Sequence, residues 1–345
     1  MRPDLPTLAL TFLASLAFTA AASAQATPSY EAFNEGRFLR YLNAHKDGID
    51  AVPRIGLSFG ERTIRAVIDS GSTGVVVAAR SVPNFGQLQS IGNGQLTYTS
   101  SGRIMRGRWV ITRLTLVGQN GERLDTEPMP VLAVTRVDCL RNARNCTPRS
   151  SPRNIAMVGI GFGREGDRQN QSTPDKNPLL RVAPGDGRRR QGYVLTREGV
   201  HVGLTGANTR GDFRFVKLDR QPDGRDWAGI PACIALNGRT PPACGSMLMD
   251  TGVSAMFMTV PPDQAGAVTR TLPDGTNVSV RIGAPENSSE LYQFTVGSTS
   301  PLAPDGIHLR VSPTRVFVNT SYRLLNGFDV LYDADGGYAA FRRRH

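Results

Sequence analysis

The sequence predicts an all-β chain folded as two lobes, and three observations predict it. Short apolar runs alternate with turn residues, and the 345 residues include 37 glycines and 23 prolines, a pattern of strands and tight turns. With an N-terminal leader set aside, about 320 residues remain, more than one hydrophobic core usually holds. Finally, one pattern occurs twice: Ala66-Val-Ile-Asp-Ser-Gly-Ser-Thr-Gly-Val-Val-Val77 and Met247-Leu-Met-Asp-Thr-Gly-Val-Ser-Ala-Met-Phe-Met258. Each copy is an apolar strand, an aspartate, a small hydroxyl residue, a glycine and a second apolar strand.

Aspartate is depleted in strands and is rarely buried without a partner, so placing it at the end of a buried strand costs free energy. Gly71 and Gly252 allow a tight turn and close backbone approach, and the hydroxyls of Ser70 and Thr251 can donate or accept within it. One such turn could be ordinary; two matching ones, with Asp69 and Asp250 181 residues apart, read as halves of one acid/base site. The pair resembles the pepsin-like, two-lobed aspartic proteases, which carry one Asp-Thr/Ser-Gly-Ser/Thr motif per lobe. Asp69-Ser70-Gly71-Ser72-Thr73 and Asp250-Thr251-Gly252-Val253-Ser254 match it, and the resemblance extends over roughly residues 53 to 343. It implies an all-β pepsin-like fold with a cleft between lobes 51–208 and 209–345.

From the start of the chain, Arg2, the apolar run Leu8 to Ala21 and the small-x-small Ala22-Ser23-Ala24 read as a secretory signal over residues 1–24. The run is short for a membrane span, and no other stretch is long enough. The expectation is an exported protein, secreted or periplasmic, without a membrane anchor. Residues 25–50 form a polar extension in which 35–43 could make a short amphipathic piece. It is short for the family's cleft-blocking propeptide, and its removal is left open.

Val52 to Gly60 alternates as a strand and turns at Phe59-Gly60-Glu61-Arg62 into the first Asp strand. Leu96 to Val110 makes a hairpin that resembles the family's flap, with Tyr98 matching the flap tyrosine; a half-exposed strand tyrosine is the rival reading. Ile155 to Gly163 is an apolar strand running into glycines. It resembles the family's apolar-apolar-Gly strand beside the catalytic loop, with Gly159 in the Gly place. No helix pattern follows, so a dinucleotide fold is not indicated.

Asn177 to Arg181 hints at one helical turn, and Tyr193 to Thr196 with Val200 to Leu204 form a hairpin. The lobe junction falls near Gly206 to Asp212. The end, Val316 to Asn319, Ser321 to Leu325 and Phe328 to Phe341, resembles the family's closing strand, helix and hairpin. Asn319 stands where the family usually has Gly, as the residue next best suited to a left-handed backbone.

The four cysteines are even in number, and an exported chain permits disulfides. Cys139 with Cys146 and Cys233 with Cys244 are near neighbours and pair locally, two other connectivities being possible. No histidine lies near either pair, so a zinc site is disfavoured, and neither metal nor cofactor is expected. The net charge of +11 sits largely on arginines in Pro/Gly/Asn-rich loops. No nucleic-acid motif accompanies them, so solvated surface is the reading. His201 has no partner that would suggest a Ser/His/Asp triad.

Two carboxylates held close cannot both ionise cheaply, so the pair shares a proton, one member activating water and the other protonating the scissile carbonyl. In the resembling family, Ser70 and Thr251 would tie the two loops together and Ser72 would hydrogen-bond Asp69. Val253 lacks the matching hydroxyl. On sequence alone Asp250 therefore loses one hydrogen bond to its ionised form, about 1 kcal/mol, with the pH optimum moving up. Val76 stands where the family has a tryptophan. The resemblance implies a monomeric aspartic endopeptidase cleaving peptides between bulky apolar residues. The alternatives are a pepsin-fold binding or inhibitor protein without turnover, and a glycosidase using the same carboxylates.

Overall fold

The computed structural model describes residues 27–45, 48–60, 62–143, 146–164, 169 and 171–344. The expected leader, residues 1–24, lies outside them. Among the described residues strands dominate, helix is limited to pieces such as Pro178–Leu180 and Tyr322–Asn326, and no helix is long and apolar enough to cross a membrane.

The described residues form three sheets. A ten-stranded sheet takes its strands from Arg54 to Ile160, and a seven-stranded sheet takes its strands from Ile230 to Asn319. The third, six-stranded, contains Arg37–Arg40, Gly199–Leu204 and Arg190–Leu195. All three precede residue 205, and they join Phe213–Lys217, Phe328–Asp333 and Tyr338–Arg343, with Arg190–Leu195 antiparallel to Phe328–Asp333 at the seam. One continuous core touches all three sheets.

The apolar run after Asp69 shows why the centre of the first sheet forms as it does. Thr73–Ala78 is flanked by Ala156–Ile160 on one side and Met129–Cys139 on the other, so both its faces are covered and it can be apolar throughout. Val75 and Val77 point into the main core. Val76 points the opposite way, into a separate cluster with Leu96, Met105, Trp109 and Leu132 beneath the Ser90–Tyr98/Arg103–Thr112 hairpin. That hairpin is not free-standing. Arg103–Thr112 pairs along its whole length with Met129–Cys139, from Arg103 opposite Cys139 to Thr112 opposite Met129.

Both local disulfides are present. Cys233 and Cys244 face each other across neighbouring strands, bracing the strand that leads to Asp250. Cys139–Cys146 closes a loop against the hairpin tip, where Leu140 N donates to Gly102 O at 2.8 Å.

The extension before residue 51 differs from the amphipathic piece expected there. Arg37–Arg40 is an edge strand antiparallel to Gly199–Leu204, and Leu39 and Tyr41 are fully buried. Tyr30 donates to Asp333, and Ile49 N donates to the Asn326 side chain. The described part of this segment is built into the six-stranded sheet.

Candidate active site

Each aspartate ends an apolar approach. Thr63–Asp69 runs parallel to Ala156–Ile160, with Asp69 opposite Gly159, and Asp250 follows the strand Ala243–Leu248. A side chain at Gly159 would sit 2.9 Å from Ser72 Oγ, so this strand can pass the turn only with glycine there.

The two turns grip each other in a near-symmetric exchange. Ser70 N donates to Thr251 Oγ1 and Thr251 N donates to Ser70 Oγ, both at 3.0 Å. Each hydroxyl in turn donates to the carbonyl preceding the opposite aspartate: Ser70 Oγ to Met249 O at 2.6 Å and Thr251 Oγ1 to Ile68 O at 2.7 Å. Buried hydroxyls and amides are thereby satisfied across the lobes, which fixes the separation of the carboxylates.

Within this frame both carboxylates are buried, Asp69 at 4% and Asp250 at 7% exposure. Asp69 Oδ1 accepts from Gly71 N at 2.8 Å and Oδ2 from Ser72 Oγ at 2.6 Å. Asp250 Oδ1 accepts from Gly252 N at 2.8 Å. The glycines are there for contact. A Cβ on Gly71 would lie 2.3 Å from Asp250 Cγ, and one on Gly252 would lie 2.5 Å from Asp69 Oδ1 and 3.1 Å from Asp250 Oδ1. The two Oδ1 atoms therefore face each other across the glycines. Burial, followed by the neighbouring charge of Asp250, pushes the Asp69 carboxyl up to about 7, against the opposing pull of Ser72.

Val253 does not leave Asp250 short of a donor. Asn319 Nδ2 donates to Asp250 Oδ2 at 2.6 Å, so the hydrogen bond expected to be missing is made from another strand. Nor does Asn319 serve as a left-handed substitute for glycine. It lies in the strand Phe317–Asn319 opposite Leu248, two residues before Asp250, whereas Gly159 sits opposite Asp69 itself. The positive φ in this stretch belongs to Ser321, at 63°.

Tyr98 comes to the same place. Its hydroxyl is buried, without a hydrogen-bond partner among the described residues, beside Ser72 and near enough to Asp69 that burial and that charge both push its pKa well up. Ser72 touches both groups: it donates to Asp69 Oδ2, and its contact with the phenol works against the burial that raises Tyr98. Two neighbours had no local signal in the sequence. Arg164 Nε donates to Gly71 O at 2.8 Å, polarising the peptide that follows Gly71. Trp109, from the far strand of the hairpin, shares the cluster of Val76 and Tyr98 and donates to Gln171 Oε1 at 2.8 Å. His201 lies elsewhere, against Phe38 in the six-stranded sheet. Among the described residues no cluster of metal-binding side chains occurs.

Comparison with known proteins gives the architecture a context. No family model matches the chain, and no curated protein matches it in sequence. Among solved structures it is similar to the crystal structure of an aspartic proteinase from Irpex lacteus, with 12% identity and a TM-score of 0.52 over 90% of this chain and 97% of that one. The fold is pepsin-like. The all-β, two-lobed architecture is thus shared at very low identity.

Proposed function

We propose that the protein is an exported aspartic endopeptidase in which Asp69 and Asp250, one from each of the lobes 51–208 and 209–345, activate a water for attack on a peptide carbonyl. The observation that carries this reading is the mutual grip of the two turns. It holds two buried carboxylates with their Oδ1 atoms face to face, each supported by its own glycine N–H and a second donor. Such a pair keeps one proton between its members over a wide pH range, because the second ionisation must place like charges together in a buried site. The ionised member takes a proton from water, the protonated member gives one to the carbonyl oxygen, and no covalent enzyme intermediate forms.

Ser70 and Thr251 act by fixing the separation, Ser72 by orienting Asp69, and Tyr98 by offering its unpartnered phenol to the bound peptide or water. Export is supported by the leader-like residues 1–24 and the two disulfides. A binding protein without turnover would not need this carboxylate geometry. Incubating purified protein with a casein-type unfolded protein and with a glycan panel, from pH 3 to 8, tests the assignment. Peptide products alone support it; glycan cleavage, or binding without products, contradicts it.

A further inference from the structure

The second donor to each aspartate differs in kind, and the difference is chemical. Asp69 Oδ2 faces Ser72 Oγ, a hydroxyl that donates or accepts by rotating. Asp250 Oδ2 faces the Asn319 amide, and that amide cannot turn over: its Oδ1 already accepts from Ser321 N at 3.1 Å, so Nδ2 must point at Asp250. An NH2 group only donates. Asp250 thus receives two fixed donors, Gly252 N–H and Asn319 NH2, whereas Asp69 receives one fixed donor and one adaptable hydroxyl.

Resting on the peptidase reading above, we propose that Asn319 is a positioning residue that holds Asp250 as the ionised member of the pair and leaves the shared proton on Asp69. With the shared proton between the facing Oδ1 atoms, the fixed Asn319 donation to Asp250 Oδ2 holds the charge on Asp250, whereas the Ser72 hydroxyl at Asp69 Oδ2 can turn from donor to acceptor as Asp69 becomes neutral. The other charged and titratable groups near the pair have contacts of their own. Arg164 donates to the Gly71 carbonyl, in the turn that carries Asp69, and the Tyr98 phenol feels the Asp69 charge and contacts Ser72. Asp226 accepts from Gly163 N and from Trp227 N. Asn319 also accounts for Val253. In the first lobe Ser72 O accepts from Gly161 N, and in the second Val253 O accepts from Tyr322 N, so the backbone takes a matching path at both positions. With the Asn319 donor arriving from the neighbouring strand, Asp250 needs no hydroxyl at residue 253.

The test is a 13C-carboxyl NMR titration of aspartate-labelled protein, assigned with Asp69→Asn and Asp250→Asn, beside pH profiles of kcat/KM. Wild type is expected to ionise first at Asp250. In Asn319→Leu that first ionisation, and the acidic limb of the profile, should rise by about one to two pH units, the worth of a hydrogen bond to a charged group. Adding Val253→Thr to Asn319→Leu should bring both back. Val253→Thr alone, which keeps Asn319, should lower the first ionisation and serves if Asn319→Leu does not fold. First ionisation at Asp69 in wild type, or a titration unmoved by these changes, overturns the proposal. The NMR titration does not require turnover: the expected titration without cleavage would refute the peptidase reading alone, and cleavage with an unmoved titration would refute the role of Asn319 alone.

Discussion

Asp69→Asn should make the protein more stable than wild type at neutral pH and leave it nearly unchanged in acid. Folding raises the Asp69 carboxyl from its ordinary 3.8 to about 7, chiefly by burial and then by the charge of Asp250. Between those values the folded protein holds a proton that the unfolded chain has lost, so wild-type stability falls as pH rises through that window and levels off above it. One proton corresponds to about 1.4 kcal/mol per pH unit, so the full window of about three units amounts to on the order of 4 kcal/mol. The asparagine is neutral throughout. Its amide oxygen can still accept from Gly71 N, and its NH2 meets the Ser72 hydroxyl, which can accept. The difference between the two proteins isolates the pair, because every other titrating group is common to both. Urea unfolding of both, disulfides intact, at half-unit steps from pH 4 to 8 measures it. A difference that stays constant, or that shifts toward wild type as pH rises, would refute the reasoning about burial and like charge.

Other consequences can be measured separately. In Gly71→Ala the new methyl lies 2.3 Å from Asp250 Cγ, so the carboxylate must move by about 1 Å, and kcat should fall about 100-fold in a protein with an unchanged fold by circular dichroism. Removing residues 27–50 should cost roughly 5 kcal/mol or more and yield insoluble or unfolded protein rather than an activated enzyme. Leu39 and Tyr41 are fully buried, and each large buried side chain is worth several kcal/mol. Cys139→Ser with Cys146→Ser should free the hairpin tip that the disulfide-closed loop holds through Leu140 and Gly102, giving faster proteolytic nicking between Thr99 and Gly102 at little change in overall melting.

The sequence made the duplicated turns legible because their physics is local. An aspartate on an apolar strand needs a glycine to turn on and a hydroxyl to bond to, and all three are contiguous in Asp69-Ser70-Gly71 and Asp250-Thr251-Gly252. The hairpins, the local disulfides and the apolar strand before Gly161 were legible for the same reason. Asn319 was misread because an apolar-apolar-Asn run looks like a glycine slot with a tolerated replacement. Only strand register, with Asn319 opposite Leu248, shows its side chain reaching Asp250. Arg164 and Trp109 act on residues 93 and 33 positions away, Gly71 and Val76, with no periodicity to announce them. The edge strand Arg37–Arg40 is four residues long and finds its partner at Gly199–Leu204, so nothing nearby in the chain marks it as strand.

The central claim is that Asp69 and Asp250 act together across the two lobes. Cleavage of an unfolded protein substrate by purified residues 25–345 tests it most directly, with wild type, Asp69→Asn and Asp250→Asn compared side by side from pH 3 to 7. The account predicts turnover by wild type that pepstatin suppresses. Each variant should lose at least about a thousandfold in kcat, because neither carboxylate can perform both proton transfers alone. Undiminished cleavage by either folded variant, or no cleavage by folded wild type at any pH, would contradict it.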